Sequence, residues 1–416
     1  MLSLSAKRDF SIRIPVILVT VMVFFGHLIP FINYYQMLFL ILMTTFLLVL
    51  MNKGKISIYN NMIWLLCIII LMISLIFSYD KLSTLKFTLM FVSILIIKFL
   101  FEGQKNWQSF FVKCLFYASL FHVTLTLFQF IFPSIITDIN SVILSNLDFN
   151  TNLELMSNGS YAGITGQTGI NAFFISILIA ITYSKLINNS QKKVLLITIL
   201  SLGMIALFLT VKRSQIIINA VAMLSLLFLF RKKDIKSKIN LILIPILMVC
   251  IGYIILTSIP TTNNVIKKFI LFADSSDFTN GRVKLWSETI EVFNMNPVFG
   301  IGAGAIDSQI GEKTHNIYIQ ILGEMGILGI FVFAFAFLFS LVKTVRLIRS
   351  YLTKDYIKNE HKYLLALGLY MQIYFILYGL SGNPLYSPIF LTIYMLMISI
   401  VNSVHLSNKY LITRRK

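Results

Sequence analysis

Apolar residues occupy this chain in blocks of about twenty, the length an α-helix needs to cross a bilayer. The blocks fall at 12–30, 34–51, 60–78, 83–101, 108–133, 161–187, 193–211, 213–230, 239–259, 315–342, 363–381 and 388–405. The pattern predicts an all-α polytopic membrane protein with about twelve transmembrane helices. Two of the blocks are separated only by Lys212-Arg213-Ser214. A single helix over 193–230 would be too long for one crossing and would carry those charges in its middle, so a turn at a membrane face is expected there.

The polar segments between blocks give an orientation. With the N-terminus inside, the inner segments hold Lys7, Arg8 and Arg13; Lys53 and Lys55; Lys105; Lys185, Lys192 and Lys193; five basic residues over 231–238; six over 343–362; and Lys409 with Arg414, Arg415 and Lys416. Basic residues accumulate in cytoplasmic loops, so both termini are expected in the cytoplasm of a multi-pass plasma (inner) membrane protein. No cleavage pattern follows the first apolar block, which is read as a retained span. On the opposite face, segment 134–160 carries Asp138, Asp148 and Glu154 without Lys or Arg, and 260–312 is a large mixed loop. The whole chain, 1–416, reads as one transmembrane domain, with 260–312 as a large, partly helical extracytoplasmic loop holding part of an active site.

Composition agrees with the pattern. Hydrophobic residues make up 57% and charged residues 12%, about half the charge of a soluble domain. A soluble enzyme and a disordered chain are both excluded. The net charge of +19 follows from basic inner loops and anionic headgroups, not from a nucleic-acid partner. Cys67, Cys114 and Cys250 lie in apolar runs and propose no disulfide framework.

Candidate chemistry concentrates on the outer face. Asn280 is placed to cap a helix that Asn296-Pro297 would stop, with Arg282 in its first turn. Val283, Trp286, Ile290 and Phe293 would form its apolar face, lying on the membrane surface or against the bundle. Gly300-Ile301-Gly302-Ala303-Gly304 follows no strand, so a packed tight loop fits it better than a dinucleotide site. His315 stands at the start of the tenth block, where a helix N-terminus favours a neutral imidazole and a nearby anion. Asn316, Gln320 and Glu324 recur every four residues as one polar stripe. Glu324, ionisable within a span, is either functional or an internal partner to a polar neighbour. Gly323, Gly326 and Gly329 would form a smooth packing ridge. Asp274 and Asp277 form no evident metal cage, and no metal or other cofactor is expected.

These residues resemble the O-antigen ligase and O-antigen polymerase superfamily of bacterial envelope glycosyltransferases. The resemblance rests on Lys212-Arg213-Ser214-Gln215, on Arg282 and Trp286 leading to Asn296-Pro297-Val298-Phe299-Gly300-Ile301-Gly302, and on His315-Asn316-Ile317-Tyr318 with Glu324-Met325-Gly326-Ile327-Leu328-Gly329. Gly163-Ile164-Thr165 through Asn171 is a weaker fourth piece. It implies a GT-C-like fold and chemistry outside the plasma membrane on an undecaprenyl-pyrophosphate-linked oligosaccharide. His315 would be the catalytic base and Arg213 and Arg282 the pyrophosphate-binding forks, with Lys212, Asn316, Tyr318, Glu324 and Asn171 in support. The reaction would invert the sugar carbon without a metal.

The first function expected is polymerisation of repeat units into O-antigen, capsule or exopolysaccharide, with a flippase and a chain-length regulator as partners besides the bilayer. A ligase moving finished glycan to another acceptor is the alternative. A flippase or transporter is a third; it would show repeated halves and discontinuous helices, and the sequence displays neither.

Overall fold

The apolar blocks fold as helices. The computed structural model describes residues 4–29, 32–51, 61–104, 106–188, 192–230, 281–352 and 359–413, and the regular elements among them are all helical. They are α1 Leu4–Phe25, α2 Tyr34–Met51, α3 Met62–Ile76, α4 Lys81–Glu102, α5 Trp107–Ile131, α6 Pro133–Ile143, α7 Asn146–Ser157, α8 Thr168–Ile187, α9 Lys193–Leu209, α10 Arg213–Phe230, α11 Arg282–Met295, α12 Ile306–Ile310, α13 Ile317–Leu352, α14 Asn359–Tyr378 and α15 Pro388–Thr413. Each expected span has its helix except 239–259, which lies outside the described residues, as do 231–238, Asp274, Asp277 and Asn280.

Among the described residues, α4, α5, α8, α10, α13 and α15 are long and apolar enough to cross a membrane, and four shorter apolar helices accompany them. The protein is a multi-pass membrane protein. At its centre α8 is buried on all sides from Asn171 to Ser184, packed on α5, α9, α10 and α14. Its polar groups are bonded within the bundle. Asn219 of α10 donates to Ser176 Oγ at 2.8 Å and accepts from the Tyr370 hydroxyl at 2.7 Å.

Two features depart from the expected pattern. Segment 134–160 is largely helical. Pro133 starts α6, where its missing N–H costs nothing, and the Ser145 hydroxyl accepts from Asp148 N to cap α7. The tenth span, α13, is discontinuous. Its backbone leaves the helical region at Gly326, with φ 63° and ψ −164°, so the expected glycine ridge is instead a break.

The helix ends meet in two groups. One end gathers the loops after α1, α3, α5, α9 and α14 and the start of α13. His27 Nε2 bonds Ile164 O, Tyr79 N donates to Ile301 O, Tyr161 N to Leu209 O and Ile317 N to Gly379 O. The other end holds a buried polar network. Lys98 Nζ lies 3.0 Å from Glu102 Oε2, and both side chains are fully enclosed. Asn61 and Asn402 donate to Glu102, Asn61 accepts from Lys98, and Lys343 donates to Asn402.

Candidate active site

A tight turn brings the first cations to the site end. Residues 210–212 separate α9 from α10, and Val211 adopts φ 57°, a strained region for a β-branched residue. Val211 is held there by packing with Tyr161 and Leu209 and by Arg213 N donating to Val211 O at 3.2 Å. The turn leaves Lys212 exposed and Arg213 half-buried at the first position of α10.

Arg282 opens α11 directly after Gly281, which stands at φ 82° in the capping position. Its Nη1 donates to Ser381 O at 3.1 Å, in the loop after α14. One turn on, Trp286 Nε1 donates to Thr314 O at 2.8 Å. This bond sets which side of α11 faces inward. Thr289 and Val292 are buried, whereas Val283 and Ile290 are 55% and 43% exposed. Of the two placements expected for the apolar face, the exposure of Val283 and Ile290 agrees with the membrane surface and not with packing on the bundle.

His315 is an exposed residue with φ 53°, flanked by locked neighbours. The Thr314 hydroxyl donates to Asn316 O at 2.9 Å. Asn316 Oδ1 accepts from Tyr318 N at 3.0 Å and Ile319 N at 3.3 Å, which caps α13. The imidazole is thus presented on a left-handed residue whose two sides cannot relax independently.

These pieces form one electropositive surface. The His315 pKa is pushed below its ordinary value, first by loss of water to its neighbours and then by the charges of Arg282 and Lys212, with Glu312 opposing and Lys313 adding. Arg282 is likewise lowered, by desolvation first and then by Arg213, while Tyr378 opposes. A guanidinium remains protonated under such a shift. Neutral imidazole and charged arginines therefore coexist at neutral pH.

The other residues expected in support build the frame. Glu324 is fully buried and accepts from Gly304 N at 2.6 Å, Ile306 N at 3.3 Å, Gln320 Nε2 at 2.9 Å and the Tyr386 hydroxyl at 2.5 Å. It clasps the glycine loop to the broken span. Gly302 N donates to Glu324 O and Ile327 N to Pro297 O across that break. A Cβ on Gly300 would stand 2.3 Å from the Glu324 carbonyl carbon, and one on Gly326 would stand 2.3 Å from Val298 O. Both positions require glycine, and the loop is a packing element as expected. The Tyr318 hydroxyl donates to Ile376 O at 2.7 Å. Asn171 donates to the Thr126 hydroxyl at 2.8 Å and packs on Gly163.

Two site residues carried no role in the sequence reading. Gln215 donates to Gly169 O at 2.9 Å and accepts from Tyr374. Tyr378 ends α14 beside Arg282 and Gln215. The available signal was the Gly379, Ser381, Gly382 and Asn383-Pro384 turn on the predicted outer face. Among the described residues no three His, Cys, Asp or Glu side chains converge as a metal cage.

No curated protein matches the chain. Residues 196–334 match the family model described as O-antigen ligase. The matched segment runs from α9 through the first half of α13 and contains Arg213, Arg282, His315 and Glu324. That segment, about a third of the chain, encloses three of the four motifs on which the resemblance rests, all but Gly163 through Asn171, and in it the chain is similar to the O-antigen ligase family.

Proposed function

We propose that the protein polymerises undecaprenyl-pyrophosphate-linked repeat units into a surface polysaccharide on the outer face of the plasma membrane. The observation that carries this reading is the meeting of Arg282, Arg213, Lys212 and His315 at one end of the bundle. A growing chain on its lipid is the donor, and a sugar hydroxyl of a single lipid-linked unit is the acceptor. The acceptor oxygen attacks the anomeric carbon opposite the pyrophosphate and inverts it. The bond between the anomeric carbon and the bridging pyrophosphate oxygen breaks, and its electron pair leaves with undecaprenyl pyrophosphate. His315 takes the hydroxyl proton, a role suited to a neutral imidazole. Arg213 and Arg282 hold the leaving phosphates as planar forks. In this reading Arg213, Arg282 and Lys212 stabilise the leaving charge in place of a metal.

A polymerase holds two pyrophosphates, one on each substrate. Lys313, whose charge also reaches His315, adds to the cations that this requirement draws on, where a ligase holds one pyrophosphate. The orientation is supported by Arg346, Arg349 and Lys192 lying toward the other end of the bundle. A cysteine introduced at exposed Ser287 should label in intact cells; labelling only after permeabilisation would reverse the topology. The glycan profile of a deletion strain tests the reaction. Single repeat units on the final acceptor are expected; long chains left on the lipid would establish a ligase instead.

A further inference from the structure

The basic groups do not close the site alone. On the side facing Lys212 stand the first turn of α8 and the end of α14. A Cβ built on Gly169 would lie 3.8 Å from Lys212 Cε and 3.9 Å from the Tyr378 hydroxyl. The bare first turn of α8, the Lys212 stem and the Tyr378 hydroxyl therefore border one space. The α8 start has no side-chain cap, so its outermost N–H groups keep donor capacity.

Tyr378 is held rigidly. Its ring stacks on Phe390 at 5.2 Å and leans on Tyr374 at 5.9 Å. A Cβ on Gly382 would stand 2.7 Å from the ring and 3.0 Å from the hydroxyl, so the loop folds back directly over it. The same loop accepts from Arg282 at Ser381 O and from Ile317 N at Gly379 O. It is thus tied to both Arg282 and the residue two after His315.

Hydrogen-bond accounting leaves the phenol spare capacity. The Gln215 carbonyl oxygen accepts from the Tyr374 hydroxyl, and its amide nitrogen donates to Gly169 O. Tyr378 also lies against the Gln215 side chain. Gln215 retains one N–H and one carbonyl lone pair, and a phenol has one hydrogen and two lone pairs, so the bond to Gln215 does not exhaust the hydroxyl. With Gln215 as the donor, the phenolic hydrogen serves a group in the space beside Lys212 and Arg282, where an anion is favoured.

We propose that the Tyr378 hydroxyl, together with the uncapped first turn of α8 at Gly169, is a neutral donor wall for the phosphoryl oxygens of the lipid-linked donor. This rests on the pyrophosphate reading above. The arginines supply charge, and Tyr378 supplies a fixed direction without a charge that would hold the leaving group after transfer.

The test is binding of undecaprenyl pyrophosphate to purified protein in lipid nanodiscs. Tyr378→Phe should weaken affinity on the order of 10-fold, as expected for a hydrogen bond to a charged group, with the thermal midpoint of the free protein unchanged. Tyr370→Phe, which removes a bond to Asn219 inside the bundle, should lower the midpoint and leave affinity unchanged. Gly169→Ala has ordinary contact distances and should bind normally, whereas Gly169→Leu should fill the space between Lys212 and Tyr378 and abolish binding with the Tyr378 hydroxyl still present. If Tyr378→Phe destabilises the protein, the Gly169 pair decides. Wild-type affinity in Tyr378→Phe, or in Gly169→Leu, would overturn the donor wall. Failure of the wild-type protein to bind undecaprenyl pyrophosphate would instead overturn the pyrophosphate reading itself.

Discussion

The two ends of the bundle handle buried charge in opposite ways. At one end Glu102 is enclosed with Lys98 and receives further bonds from Asn61 and Asn402, while Lys343 closes the set through Asn402. Four helices or helix starts, those of α3, α4, α13 and α15, contribute to it. At the other end Lys212, Arg213, Arg282 and His315 share an open surface, and each lowers or is lowered by another. A satisfied buried network resists change because removal of one partner strands the rest. Among the described residues, Glu312 opposes the pull of Arg282, Lys212 and Lys313 on His315, and this balance favours an anion. Glu324 repeats the first lesson only nine residues after His315: four donors already surround it, so it organises the site and does not serve the substrate.

The contrast breaks most visibly at the forks. Arg213→Ala with Arg282→Ala should abolish polymer formation while the protein still inserts. Each single variant should lose about 10²–10³ in rate, measured by polymer length and yield in membranes of equal protein content. Lysine should rescue either site poorly, because a point charge does not reproduce a planar fork.

The opposite end should respond in stability. Glu102→Gln removes the carboxylate between two ammonium groups and should destabilise the fold by about 3–5 kcal/mol, read as a lower midpoint in detergent. The protein that remains folded should turn over normally. A turnover loss without destabilisation would show that the two ends are not separate in role.

A smaller effect sharpens the electrostatics of His315. Its pKa is lowered, so the neutral base persists below the ordinary histidine value near 6.5, and activity should fall only at more acidic pH. Lys212 is one cause of that lowering. Lys212→Ala should therefore move the acid limb of the pH–rate profile upward, toward 6.5; a downward shift would contradict the arrangement. The smallest change is expected at Lys284, which is largely exposed and lies 3.8 Å from Glu288. Lys284→Ala should change stability by less than about 1 kcal/mol in a melting curve.

Much of this was legible before the fold. The spans were, because each is a block of apolar residues whose backbone must bond internally in lipid. The grouping of Arg213, Arg282 and His315 was legible in part, because the two arginines stand on the face with few basic residues and His315 opens the tenth apolar block. Tyr378 was not, since a tyrosine at the end of a span is ordinary at a membrane interface. Its role depends on Gly169 and Gln215, which are distant in sequence. The break at Gly326 was also hidden, because glycine is common within transmembrane helices and only the docking of 297–302 makes this one irregular. Which side of α11 packs on the bundle was not legible, because the Trp286 bond to Thr314, not apolar spacing, turns the helix.

The central claim is that the open electropositive end performs the transfer, with His315 as its base. It is tested most directly by measuring turnover and undecaprenyl-pyrophosphate binding on the same purified His315→Ala sample, with lipid-linked repeat units as substrate. The account predicts a turnover loss of about 10²–10⁴-fold with binding close to that of the wild type, because the arginines remain. Turnover near the wild-type rate would contradict it.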